Sequence, residues 1–170
     1  MNGATSIMTG GLAEPVPPVL VLGLGNSLLG DDGAGLRLLE ELRGTGGWPE
    51  SIEWVDGGTR GIALLGVLSL RHTAILLDAV QLGAPPGTVH VLGMDRLRRF
   101  AGVGVGATPH ESNALQLLAT AELTGDLPEH VVVVGIEPEF VRTHLGLSPV
   151  AEAALPRAME VVREMLTSWR

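Results

Sequence analysis

The chain has 170 residues, with 19 acidic against 11 basic side chains for a net charge of -8, and every basic residue is an arginine. That length holds one domain with a full core, against a usual ~100 to 200 residues per domain, and the acidic balance disfavours a nucleic-acid partner. Cysteine is absent, which excludes disulfides, thiolate metal sites and cysteine nucleophiles and leaves His and carboxylate as the only strong metal ligands.

Residues 1–17 have neither the basic nor the apolar region of a signal peptide and read as a flexible extension ahead of a single domain over 18–170. No run approaches the ~18 to 20 apolar residues of a membrane helix, so a cytoplasmic protein with no membrane contact is expected. Residues 19–23 form a short Val and Leu run, the pattern of a strand buried on both faces. Leu36, Leu39 and Leu42 recur at helical spacing up to Arg43, and Gly44, Gly46 and Gly47 stop that helix. A second strand is predicted over 51–55, then a turn at Asp56-Gly57-Gly58-Thr59 and an apolar helix over about 61–70.

The third predicted strand covers 72–77 and ends at Asp78, and the fourth covers 88–92, with Thr88, His90 and Leu92 on one face. Residues 94–108 carry Arg96, Arg98 and Arg99 among glycines with no clear period. They read as a crossover loop, either a solvated one or a surface for a peptide or acidic partner. His110 opens a helix to Thr124 with Leu115, Leu118, Ala119 and Leu123 as its buried stripe, and 130–136 form a fifth strand. Ser148-Pro149 starts a last helix with the stripe Ala158, Val161, Val162, Met165 and Leu166, which Pro156 is expected to kink or split. Strands alternating with helices imply an α/β sandwich with the sheet covered on both faces.

Glycine is in excess, 24 of 170 residues, about twice the usual ~7%. The loop Gly23-Leu24-Gly25-Asn26-Ser27-Leu28 begins like a dinucleotide fingerprint, but Leu28 stands where the third glycine belongs. Asp31-Asp32 follows the first strand, and there one Asp is expected to cap the helix while the other is free to bind. Asp32, Asp78 and His110 all fall at the boundary where a parallel sheet opens its crevice. Two carboxylates there repel unless a proton or a cation separates them, and two oxygens with one imidazole suit a borderline divalent ion such as nickel, zinc or manganese.

The motifs in order are Gly25-Asn26-Ser27-Leu28-Leu29-Gly30-Asp31-Asp32-Gly33-Ala34-Gly35, Asp56-Gly57-Gly58-Thr59, Asp78-Ala79-Val80, Pro86-Gly87-Thr88-Val89, Thr108-Pro109-His110, Gly135-Ile136-Glu137-Pro138-Glu139 and Leu147-Ser148-Pro149. Together they resemble the maturation endopeptidases of nickel-iron hydrogenases, from about residue 19 to the C-terminus. Glu137 stands where that family usually has Gln, and Glu111, Ser112 and Asn113 follow the histidine where it often has Gln and then Gly.

The resemblance implies a three-layer α/β/α sandwich of phosphorylase/hydrolase-like type, with a five-stranded mixed sheet of order 2-1-3-5-4 and strand 4 antiparallel. It implies a metal-dependent endopeptidase that removes the C-terminal extension of a hydrogenase large-subunit precursor. The metal and catalytic residues are then Asp32, Asp78 and His110, the ion is nickel supplied by the precursor, and no organic cofactor is needed. Asp56, Gly57, Gly58 and Thr59 become candidate substrate contacts, although Asp56 or Thr59 equally suits a helix cap. Glu111 reads as a base, an extra ligand or an acid serving the helix dipole. A monomer is expected. Two other functions fit some of the residues. One is a nickel-dependent binding module or chaperone that does not cut the precursor; the other is an enzyme like the peptidyl-tRNA hydrolases, whose Gly-Asn loop looks similar.

Overall fold

The computed structural model describes residues 19–102 and 112–169. The 1–17 extension, the end of the 94–108 segment, His110 and Glu111 lie outside the described residues. Five strands form one sheet in the order β2-β1-β3-β5-β4: β1 Val19–Leu24, β2 Ile52–Gly58, β3 Thr73–Ala79, β4 Val89–Gly93 and β5 His130–Ile136. β2, β1, β3 and β5 run parallel and β4 is antiparallel to β5, as the family resemblance implies.

The central strands are apolar because both faces are covered, and all seven residues of β3 are buried. Their side chains divide by alternation. Val21, Ile75, Leu77 and Val134 pack against α1 (Ala34–Gly44) and α5 (Pro149–Ser168). Leu20, Leu22, Leu76 and Val133 pack with Leu64 and Leu68 and with α4 (Asn113–Thr124), where α2 is Leu65–Leu68. Each fully buried leucine contributes about 2 kcal/mol against conformational entropy. Among the described residues no helix is long and apolar enough to cross a membrane.

Several elements differ from the sequence expectations. Residues 94–102 form a helix, α3 Met94–Gly102, rather than a loop, because Leu97 buries while the arginines stay on the outer side and Arg98 pairs with Glu122 of α4 at 2.9 Å. α4 begins at Asn113 with Ser112 as its cap, and its buried stripe is Ala114, Leu117, Leu118 and Ala121, which leaves Leu123 89% exposed. Ala114 and Ala121 share the buried stripe with Leu117 and Leu118, and Leu123 falls on the outer face. β2 runs on through Asp56 to Gly58, beyond its predicted end. The segment over 61–70 is a short 3-10 turn at Gly61–Leu64 followed by α2. α5 runs unbroken through Pro156, capped at its start by the Ser148 hydroxyl.

Candidate active site

The carboxyl ends of β1 and β3 lie side by side at the centre of the sheet, so the residues that leave them share one rim. β1 leads into a loop and then a 3-10 turn, Asp31–Gly33, ahead of α1. Gly25 has φ 119°, and a Cβ placed on it falls 1.8 Å from the Asp32 carbonyl oxygen. Only glycine lets the loop fold back this closely on the residue it presents. Asn26 N–H then donates to Asp32 Oδ2 at 2.8 Å, which aims the carboxylate. Gly35 does the same for the helix: a Cβ there meets the Leu77 carbonyl at 2.2 Å, so α1 starts directly against the end of β3.

Asp31 and Asp32 divide the work differently from the capping expectation. Neither caps the helix with its side chain. Asp31 is fully buried and accepts from Ser148 N–H at 2.6 Å, Ser148 Oγ at 2.8 Å and Glu139 N–H at 2.8 Å. It fastens the first loop to the start of α5. Asp32, half-buried, is left facing a cleft of about 580 Å3 whose walls include Thr59, Gln81, Ser112, Gln116 and Phe140.

Asp78, 1% exposed, is hydrogen bonded to Ala79 and Ser112, two residues that line this cleft. Its Oδ1 accepts from Ala79 N–H at 2.9 Å, and its Oδ2 accepts from Ser112 Oγ and Ala114 N–H, each at 2.8 Å. Burial raises its pKa from 3.8 to about 7, the donors at Ala114 and Ser112 oppose that rise, and the charge of Asp32 adds to it. Burial also raises the Asp32 pKa, against the Asn26 hydrogen bond. The two carboxyl groups therefore repel one another electrostatically. A bound cation relieves that repulsion, so the pair fits a divalent ion with oxygen ligands.

The structure brings Asp32 and Asp78 together and adds Ser112, which sequence reasoning left without a role. The signal was available: a serine before an apolar helical run is an N-cap, and the capping hydroxyl, which accepts from the helix, has its O–H donor to spare. The second glycine motif splits. Thr59 lines the Asp32 cleft, whereas Asp56 lines a separate cleft of about 620 Å3 beside Arg37 and Leu147. Gly57 packs tightly on Leu22 and Leu24, and the Gly58 carbonyl accepts from Gly25 N–H at 3.0 Å, steadying the Asp32 loop.

Glu137, the departure from the family pattern, is 2% exposed and accepts from Leu82 N–H, Gly83 N–H and His90 Nε2, the last at 2.7 Å. Its role is to hold the turn after β3 and the antiparallel edge.

A family model for hydrogenase maturation proteases matches residues 36–165. The Hydrogenase 2 maturation protease of Escherichia coli is 35% identical over 145 residues, 85% of this chain and 87% of that protein. The solved structure of the E. coli hydrogenase maturating endopeptidase HybD superposes with a TM-score of 0.77 at 33% identity, covering 88% of this chain and 92% of that one. A hydrogenase 2 maturation peptidase from a Thaumarchaeota archaeon gives 0.66 at 34% identity, covering 88% and 97%. With the two carboxylates gathered at the rim of the expected sheet, the chain belongs to the hydrogenase maturation protease family and is an endopeptidase.

Proposed function

We propose that the chain removes the C-terminal extension of a nickel-iron hydrogenase large-subunit precursor, in the cytoplasm and as a monomer, and recognises the nickel that the precursor carries. The observation behind this reading is the pairing of Asp32, which lines the cleft, with the buried Asp78, whose carboxyl feels the charge of Asp32. His110 completes the ligand set; Ser112, two residues after it, is hydrogen bonded to Asp78. Nickel on the substrate supplies a Lewis acid that polarises the scissile carbonyl or acidifies an attacking water.

The chain's own residues do the rest. Asp78 gives up its proton as the cation arrives, and Ala114 N–H and Ser112 Oγ hold the resulting carboxylate in place. Asn26 keeps Asp32 turned toward the substrate. Thr59, Gln81 and Gln116 offer hydrogen bonds to a peptide backbone along the cleft walls.

The raised pKa of Asp78 favours a second reading, in which protonated Asp78 and ionised Asp32 share the proton transfers as an acid and base pair, as in aspartic proteases. One experiment tests both: nickel-loaded and nickel-free precursor are incubated with the enzyme and followed by intact mass. Truncation of the loaded form alone, abolished in His110→Ala, supports the nickel reading. Equal truncation of both forms supports the dyad. Binding without truncation overturns the proposed processing.

A further inference from the structure

At the end of the sheet opposite the cleft, three exposed side chains converge: His72 just ahead of β3, Glu129 just ahead of β5, and His130 at the start of β5. The backbones that carry them are fixed to one another. Thr73 lies beside His130 in the parallel register, and His130 N–H donates to the His72 carbonyl at 3.1 Å. Glu129 stands between the two imidazoles, with Oε2 2.8 Å from His72 Nε2 and Oε1 3.7 Å from His130 Nε2. The rings meet edge to face with centroids 5.3 Å apart, and the three ligand atoms lie within 4.8 Å of one another.

Two ligands on a tetrahedral ion with bonds of ~2.0 to 2.2 Å stand about 3.3 to 3.6 Å apart, so small side-chain rotations bring these atoms to ligating distance. The outer nitrogen of His72, Nδ1, is 3.3 Å from Thr73 Oγ1. Such an outer contact steadies the ring plane of a ligating histidine and leaves Nε2 to face the ion. Two imidazoles with one carboxylate select borderline transition ions over magnesium or calcium, which prefer all-oxygen shells.

We propose that His72, Glu129 and His130 form a second metal site, for a divalent transition ion of the zinc or nickel type, with water completing the shell. Thr73 and Asp78 are five residue steps apart along β3, a rise of about 17 Å, so this site fills independently of the cleft. The ion clips the entries of β3 and β5 together at the edge farthest from the chemistry.

The test is Zn2+ binding to the full chain by isothermal titration calorimetry, with thermal melts alongside. Three proteins are compared: the wild type, His72→Ala/His130→Ala, and Asp32→Asn/His110→Ala, which removes two of the proposed cleft ligands. The cleft variant is expected to keep one Zn2+ per chain that the double-histidine variant lacks. At Zn2+ 100-fold above its Kd the melting temperature should rise roughly 5 to 10 °C only where the histidines remain. Both histidines are exposed, so the metal-free melts should match, which separates loss of the site from loss of the fold. Cu2+ bound to the cleft variant should show two-nitrogen hyperfine splitting in its electron paramagnetic resonance spectrum. Equal Zn2+ stoichiometry and affinity with and without the two histidines, or no Zn2+ bound by the cleft variant, overturns the site.

Discussion

Asp31 and Asp32 are neighbours in the chain with opposite surroundings, one locked in the interior by three donors and one turned to the cleft. Replacing Asp31 by Ala strands the Ser148 and Glu139 amides, and urea unfolding should show a loss of about 3 kcal/mol or more. Asp32→Asn keeps the shape and should change stability by less than about 1 kcal/mol while abolishing precursor cleavage in a mass-shift assay. Asp78 makes stability depend on pH. In the folded protein it keeps its proton up to about pH 7, whereas the unfolded chain releases it near 3.8. The folded state therefore holds the extra proton between those limits. Its contribution, roughly 4 kcal/mol, is complete below the unfolded pKa and is lost as pH rises through 7. Asp78→Asn should flatten that slope in urea titrations run from pH 4 to 8. The sequence marked all three aspartates as unusual. It singled out Asp32 for binding but did not show what Asp31 does, because the role of Asp31 is made by Glu139 and Ser148, more than a hundred positions away.

α4 shows how an element carries the site with it. Its cap, Ser112, both receives Leu115 N–H and donates to Asp78, so the helix and that carboxyl are joined through one hydroxyl. Ser112→Ala should cost about 1 kcal/mol as a lost cap and also move the Asp78 titration further upward, which carboxyl-detected NMR on isotope-labelled protein would read. Glu137 joins elements in a similar way. Glu137→Gln retains an acceptor for the turn amides and should fold normally, whereas Glu137→Leu leaves them unpaired and should lower stability by about 2 kcal/mol or more in the same unfolding assay. The strands were legible from short apolar runs because both faces of the sheet are covered. α3 was not, since its Arg-rich outer face hides a single buried leucine, and the α4 stripe was misplaced because its alanines face the sheet and Leu123 does not.

At the scale of the molecule, the parallel core of four strands gives the sheet two chemically different ends. The carboxyl ends gather acidic groups in a cleft, and the amino ends of β3 and β5 gather imidazoles. The strand order followed from the family motifs, and the pairing of Asp32 with Asp78 followed from crevice logic. The His72, Glu129 and His130 group did not, because it exists only through the adjacency of β3 and β5, which no local pattern announces. Two long-range hydrogen bonds bear on how the enzyme comes into being. Asp31 is held by Ser148 across 117 positions, and Asp78 by Ala114 across 36. A chain emerging from the ribosome thus presents Asp32 long before the partners that seat its neighbours exist. Asp31, and with it the loop that presents Asp32, is fastened only when the last helix begins to form, so a chain truncated before Ser148 is expected to leave the precursor uncleaved in the mass-shift assay.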